Sequence, residues 1–113
     1  MQKESCIKAV RGYLQNKGLA YCEYETSTGS IYFHVSTSDN SNPCIRISDH
    51  KIPQSKKHSV TLNIVYTQFS KRLKSYEIKN RVYRSLNNAF KRCQKYSLNR
   101  AFKQICFYDE NVV

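Results

Sequence analysis

The sequence predicts an α+β protein in which helices cover one face of an antiparallel sheet. Three observations predict this class: helically spaced apolar residues near the start, short β-branched and aromatic segments in the middle, and a long stretch without Gly or Pro near the end. A chain of 113 residues is long enough for one modest core. We therefore expect a single domain over residues 1–113.

The first predicted element is a helix over residues 4–17. Apolar residues recur along it at steps of three and four: Cys6, Ile7, Val10, Tyr13 and Leu14. Gly18 suits the turn that ends a helix, because glycine adopts the left-handed conformation at low cost.

The middle of the chain predicts three to four strands. Residues 19–38 are rich in Tyr, Phe, Val and Ile around a Thr-Ser-Thr-Gly-Ser turn, which favours a hairpin. After the polar segment 39–43, residues 44–48 alternate as a third strand. Residues 60–67 alternate apolar and polar side chains and predict a further strand. We expect these strands to form an antiparallel sheet.

The last part of the chain predicts one long helix, or two broken near Tyr96 and Ser97. From about Gln68 onward there is no Gly or Pro, and strong helix formers are plentiful. At 100° per residue, apolar residues from Val82 to Cys93 share one side and basic residues share the opposite side. The apolar side is expected to pack on the sheet, which leaves the basic side in solvent.

Positive charge is concentrated in the same segment. The formal net charge is +11, and residues 70–108 hold 11 Lys and Arg against one acid, Glu77. A charge excess of this size opposes compaction, so an anionic partner is expected. Nucleic acid, an acidic protein surface and an anionic membrane all fit that description.

We expect nucleic acid, DNA or RNA, to be the partner and the C-terminal helix to be the binding element. A row of cations neutralises phosphates and releases counterions, and arginine adds bidentate hydrogen bonding. A polar loop before the last predicted strand adds two lysines. The candidate residues are Lys74, Arg81, Arg84, Lys91, Arg92 and Lys95 on the helix, with Lys56 and Lys57 in the loop. They are suited to holding a nucleic-acid backbone, and nothing in the pattern identifies base-specific contacts.

Three alternatives stay open for this basic surface. The same residues suit docking on an acidic or nucleic-acid-bound surface of a host nucleic-acid enzyme, as an inhibitor. A basic amphipathic helix also suits an anionic membrane. Finally, a charged helix face is often simply solvated, although soluble helices usually mix both signs of charge.

No enzymatic activity, metal or cofactor is expected. Asp49 and His50 are adjacent, but three His and few acids form no known catalytic or metal-binding spacing, and a phosphate-binding glycine loop is absent. The five cysteines include no Cys-x-x-Cys pair, so reduced thiols acting as small hydrophobes are expected. Without an apolar stretch of membrane-spanning length or a signal-peptide pattern, an intracellular, cytoplasmic protein is expected.

Most of the nine Tyr and five Phe are expected in the core, although exposed rings beside a basic groove can stack on single-stranded bases. Tyr76 and Tyr83 lie at the edge of the apolar helix face and are the least firmly assigned to it.

Two short resemblances bear on function. The predicted order of elements and the segment QSKKHS resemble the double-stranded-RNA-binding domain. In that family, however, the lysine-rich element opens the final helix, whereas Lys56 and Lys57 precede a predicted strand, so no binding residue is carried over. Residues 45–50, IRISDH, resemble a motif in small proteins of phages, prophages and plasmids. That resemblance implies a mobile-element accessory protein, including the anti-defence and anti-CRISPR type, and supplies no functional residues.

Overall fold

The computed structural model describes the backbone of residues 2–38, 42–48, 64–69, 73–96 and 104–109. Side chains are described for residues 3–38, 42–48, 73–91 and 105–107. In chain order, the described elements are a helix, four strands, a second helix and a last strand.

The first helix, α1, spans Gln2–Asn16 and ends in a glycine cap. Gly18 has a φ of 65°, which side chains with a Cβ rarely adopt. Its N–H donates to the Gln15 carbonyl at 3.1 Å, and the Leu19 N–H donates to the Leu14 carbonyl at 3.0 Å. These two hydrogen bonds form a Schellman motif. The predicted helix over residues 4–17 is thus confirmed to within two residues at each end.

The hairpin predicted for residues 19–38 is confirmed. Strands β1, Ala20–Glu25, and β2, Ile31–Ser36, pair antiparallel. The Thr26 N–H donates to the Ser30 carbonyl at 2.8 Å, and the Ser30 N–H donates to Thr26 Oγ1 at 3.1 Å. Gly29 supplies the positive φ, 85°, that closes the turn.

The sheet has five strands and is mixed, which corrects the expected antiparallel sheet. Strand β3 is Cys44–Ser48, β4 is Ile64–Phe69 and β5 is Gln104–Asp109. The strand order is β1-β2-β3-β5-β4. The pairs β1-β2 and β2-β3 are antiparallel as predicted, whereas β5 is parallel to both β3 and β4.

The second helix, α2, spans Ser75–Tyr96 and connects the parallel neighbours β4 and β5. Two parts of the predicted helical stretch are strand instead: Gln68 and Phe69 end β4, and residues 104–109 form β5. The absence of Gly and Pro therefore did not imply helix. The break expected near Tyr96 coincides with the end of α2, but the next described element, which begins at Gln104, is a strand.

Both helices pack on the same face of the sheet and share one hydrophobic core with it. The strand residues of this core are alternate positions, as expected for one face of a pleated sheet. The sheet contributes Phe33, Val35, Ile45, Ile47, Ile105 and Phe107, and the helices contribute mainly Val10, Leu14, Ile78, Val82 and Leu86.

The strand part of the IRISDH segment is a core element. Ile45 and Ile47 are at most 1% exposed on the helix-covered face, and Arg46 and Ser48 are also buried. Asp49 and His50 lie outside the described residues, as do residues 60–63 of the predicted fourth strand.

Candidate functional site

Glu77, the single carboxylate in the α2 sequence, caps the N-terminus of the helix. Glu77 Oε1 accepts a hydrogen bond from the Lys74 N–H at 3.0 Å, which satisfies a backbone donor that the first turn leaves free. A carboxylate at this end is also favoured by the helix dipole. From Ile78 to the end of α2 the helix sequence contains no acid.

The apolar face of α2 is buried, as the helical projection predicted. Ile78, Val82, Leu86 and Ala89 are each at most 1% exposed. Phe90 is half-buried and stacks on Tyr13 of α1, with ring centroids 5.7 Å apart and ring planes 7° apart. Packing on α1 and the sheet therefore determines which side of α2 faces solvent.

Polar contacts with α1 set the rotation of α2 about its own axis. The Tyr13 hydroxyl donates to Asn87 Oδ1 at 2.8 Å, and Asn16 Nδ2 donates to the Tyr83 hydroxyl at 3.2 Å. Burial, with Tyr83 nearby, raises the pKa of Tyr13, so its phenol stays protonated and able to donate. Lys79 Nζ lies 5.6 Å from the centre of the Tyr83 ring, a cation-π contact.

Four exposed side chains on α2 line the side away from the core, and we call them the α2 polar face. This face consists of Asn80, Arg84, Asn88 and Lys91. Lys74 is exposed just before the helix, whereas Arg81 is half-buried and engages another group. The predicted residues Arg84, Lys91 and Lys74 are thus in solvent, and Arg81 lies at the margin.

Among the residues whose side chains are described, no carboxylate pairs with Arg84 or Lys91. Arg11 on α1 provides the contrast. Its guanidinium donates two hydrogen bonds to Glu23, from Nε at 2.9 Å and from Nη2 at 2.7 Å. This pairing raises the pKa of Arg11. Within the described side chains, positive charge is therefore neutralised on α1 and not on the α2 polar face.

The side chains of the other predicted site residues lie outside the described part of the chain. Arg92 and Lys95 lie in the last turns of α2, but their side chains are outside the described part. Lys56 and Lys57 fall outside the described residues altogether.

A cleft of about 380 Å³ lies between the N-terminal halves of the two helices. Lys8 and Lys79 lie at it, and the Ser5 and Ser75 hydroxyls approach to 3.3 Å across it. Both lysines are exposed, but they lie at the contact between the two helices and not on the α2 polar face.

The opposite face of the sheet, here called the outer face, carries a cluster that the sequence analysis missed. Tyr24 is 48% exposed, Tyr32 is half-buried and His34 is exposed, and their rings stack on one another. The expectation that the aromatic residues lie in the core is therefore wrong for Tyr24. It is also wrong for Tyr76, which is 62% exposed.

The described cysteines are free thiols, but they are not all small hydrophobes in the core. Cys6 and Cys106 are buried, Cys44 is half-buried and Cys22 is exposed. Cys22 and Cys44 both pair in register with His34. Nevertheless, no group of three His, Cys, Asp or Glu side chains in the described part of the chain is placed to hold a metal ion.

Comparison with known proteins found no matching family model, no matching curated protein and no matching solved structure. Within the described ranges, neither helix has the length and apolar character needed to cross a bilayer.

Proposed function

We propose that this protein binds nucleic acid through the α2 polar face and acts without catalysis. The observation that supports this function is the solvent exposure of Arg84 and Lys91 without a carboxylate partner among the described side chains. Their backbone is held in place because the opposite side of α2 is buried. An exposed and preorganised pair of cations with no described carboxylate partner is suited to bind phosphates.

The spacing of these side chains fits a phosphate backbone. Arg84 and Lys91 are seven residues apart, which is roughly 10 Å along a helix at 1.5 Å per residue. B-DNA has about one charge per 1.7 Å of axis, so both cations can reach phosphates of one duplex. Asn80 and Asn88 add amide donors and acceptors, which bind phosphate, sugar or base edges.

Burial of the apolar face argues against a membrane as the partner. An amphipathic helix binds lipid by inserting its apolar side, and in α2 that side belongs to the core. Docking on an acidic protein surface uses the same exposed cations and remains the second candidate. The IRISDH resemblance and the mobile-element origin it implies remain predictions.

The test is the binding of a labelled DNA duplex and an RNA duplex, measured by fluorescence anisotropy over a range of salt concentrations. The double variant Arg84→Gln/Lys91→Gln removes two charges from the α2 polar face. Lys8→Gln/Lys17→Gln is the matched control, because it removes the same charge from two exposed lysines of α1 and the turn after it. The site variant is expected to bind about tenfold or more weakly, with a slope of log affinity against log salt that is shallower by about 2.

Equal losses in the two variants would show attraction to net charge alone and contradict a site on α2. If the wild-type protein fails to bind either duplex at about 150 mM salt, duplex nucleic acid is excluded as the partner of this face. The acidic-surface inhibitor then becomes the leading function, and a pull-down in which Arg84→Gln/Lys91→Gln loses one defined protein complex tests it.

A further inference from the structure

The outer face of the sheet is open to solvent at one end and closed at the other. At β3 and β5 it is closed, because Arg46 and Ser48 are at most 4% exposed and Cys106 is fully buried. At β1 and β2 it is open, and there Tyr24 is 48% exposed. β1 is also an edge strand of the sheet. An open aromatic surface beside the edge is accessible to a partner.

Three rings at this open end form an ordered group, which we call the ring trio: Tyr24, Tyr32 and His34. The ring centroid of Tyr24 lies 5.4 Å from that of Tyr32 and 5.3 Å from that of His34. The Tyr32 and His34 centroids are 6.4 Å apart, and all three planes agree to within 14°. A hydrogen bond of 3.2 Å joins His34 Nε2 and the Tyr24 hydroxyl.

The position of the ring trio is a consequence of strand register. Tyr24 pairs directly with Tyr32, and Tyr32 pairs directly with Arg46 of β3. His34 lies two residues from Tyr32 on β2 and therefore on the same face. The trio is held by two paired strands and does not depend on a loop, so its ring planes are preorganised.

The formal net charge of +11 attracts an anionic partner, and the outer face presents little that would repel one. Among its described residues there is no carboxylate, since Glu23 and Glu25 alternate onto the helix-covered side. Glu23 is moreover bound to Arg11. Arg46 lies directly beside the trio in register and donates to Ser30 Oγ at 3.3 Å. At 4% exposure and with its partners inside the fold, Arg46 is not itself a contact for a ligand.

We infer that the ring trio is a stacking platform for the bases of single-stranded nucleic acid. Aromatic rings that are parallel and partly exposed, with no carboxylate among the described residues of their face and on a protein of net charge +11, match the chemistry of base stacking. A duplex keeps its base faces stacked inside, so a single strand is the form whose bases can reach the rings. The platform lies on the sheet face opposite the helices. The inference rests on the proposed function in one respect, because both assign nucleic acid as the partner.

The experiment compares three labelled probes by fluorescence anisotropy at about 150 mM salt. They are an oligothymidylate about 12 nucleotides long, an abasic strand with the same number of phosphates, and a duplex. Wild-type protein is expected to bind the oligothymidylate on the order of tenfold more tightly than the abasic strand, because only the former offers bases for stacking.

Variants of the trio then locate the contact. Tyr24→Leu/Tyr32→Leu is expected to weaken oligothymidylate binding on the order of tenfold and to leave duplex binding unchanged. Tyr24→Phe/Tyr32→Phe keeps both rings and is expected to bind as the wild type does. Tyr76→Leu is the matched control, because it removes an exposed tyrosine ring from α2.

The outcomes separate this inference from the proposed function. Equal wild-type affinity for the oligothymidylate and the abasic strand would overturn the platform while leaving duplex binding by α2 intact. Should the leucine variant misfold, the abasic comparison and the phenylalanine variant still decide. Loss of oligothymidylate binding in the leucine variant, together with duplex binding that Arg84→Gln/Lys91→Gln does not weaken, supports the platform and contradicts the α2 site. Absence of binding to all three probes overturns both.

Discussion

Arg46 and Arg84 show how the cost of a charged side chain differs between the core and the surface of the protein. Arg46 is 4% exposed and lies in a strand, where an unpaired charge is costly. It hydrogen-bonds Ser30 and interacts with Cys106, so the sheet provides it with partners. Arg84 is exposed and water solvates it at no such cost. An arginine in solvent can exchange water for phosphate, whereas a buried arginine is committed to structure.

Cys106 supplies a prediction about pH. Burial raises the pKa of its thiol from 9.0 to about 12, with Arg46 opposing that shift in part. Because the folded pKa exceeds the unfolded value, the folded state holds the proton more tightly. The contribution to stability is therefore complete below about pH 9 and is lost as the pH rises towards 12.

The free energy of unfolding, measured with urea, is accordingly expected to fall above pH 9 by up to about 1.4 kcal/mol per pH unit from this group. Cys106→Val should show a shallower decline, since the variant has no thiol to titrate there. Identical pH profiles for the two proteins would show that the Cys106 thiol is not buried. Cys6, whose pKa burial also raises, contributes to both profiles and cancels in the comparison.

At the scale of elements, the contact between α1 and α2 decides how α2 is presented. Tyr13 and Tyr83 meet edge-on at 5.3 Å, and Phe90 stacks on Tyr13. This aromatic contact is flanked by the hydrogen bonds to Asn16 and Asn87. The α2 polar face is exposed because α1 occupies the neighbouring side of the helix.

The substitution Gly12→Ala tests the contact between α1 and α2. A Cβ at this position would lie 3.1 Å from the Tyr83 hydroxyl, tighter than ordinary van der Waals contact. Alanine gains up to about 1 kcal/mol of helix propensity over glycine, and crowding against the hydroxyl offsets that gain. Gly12→Ala is therefore expected to change the free energy of unfolding little in the wild type, but to stabilise the Tyr83→Phe background by up to about 1 kcal/mol.

A double-mutant cycle in urea measures this difference. If Gly12→Ala changes the free energy of unfolding equally in both backgrounds, the Tyr83 hydroxyl does not limit the approach of the two helices.

At the scale of the whole molecule, the net charge of +11 acts against folding. Adding NaCl up to about 0.3 M screens the repulsion between exposed cations, so the thermal midpoint is expected to rise with salt. Arg84→Gln/Lys91→Gln should have a higher midpoint than the wild type at low salt and a smaller salt response. Lys8→Gln/Lys17→Gln provides the comparison at equal net charge.

A larger gain in the α2 variant than in the α1 variant is the expected result, because the α2 sequence contains six Lys and Arg against one acid, Glu77. A thermal midpoint insensitive to salt would indicate that the positive charges are already compensated within the fold.

Local patterns in the sequence determined α1, the hairpin, β3 and most of α2. Helical and strand periods are properties of neighbouring residues, and Gly18 and the 26–30 turn mark where the elements end. The same period alone places Arg84 and Lys91 on the side of α2 opposite Val82 and Leu86.

Tertiary structure alone decided β5 and the parallel half of the sheet. Ile105, Cys106 and Phe107 are fully buried, so this central strand shows no alternation that would separate it from a buried helix turn. Its pairing with β3 and β4 joins residues far apart in the chain, and no local pattern encodes such a partner.

The positions of the α2 polar face and the ring trio likewise depend partly on local sequence and partly on tertiary packing. Alternation along the hairpin already places Tyr24, Tyr32 and His34 on one face, but a sheet has two faces that local sequence cannot rank. The helices cover the other face, because Phe33, Val35, Ile45 and Ile47 offer the larger apolar area to bury. Sequence thus placed side chains on shared faces of single helices and strands, whereas packing joined those elements and determined which faces reach solvent.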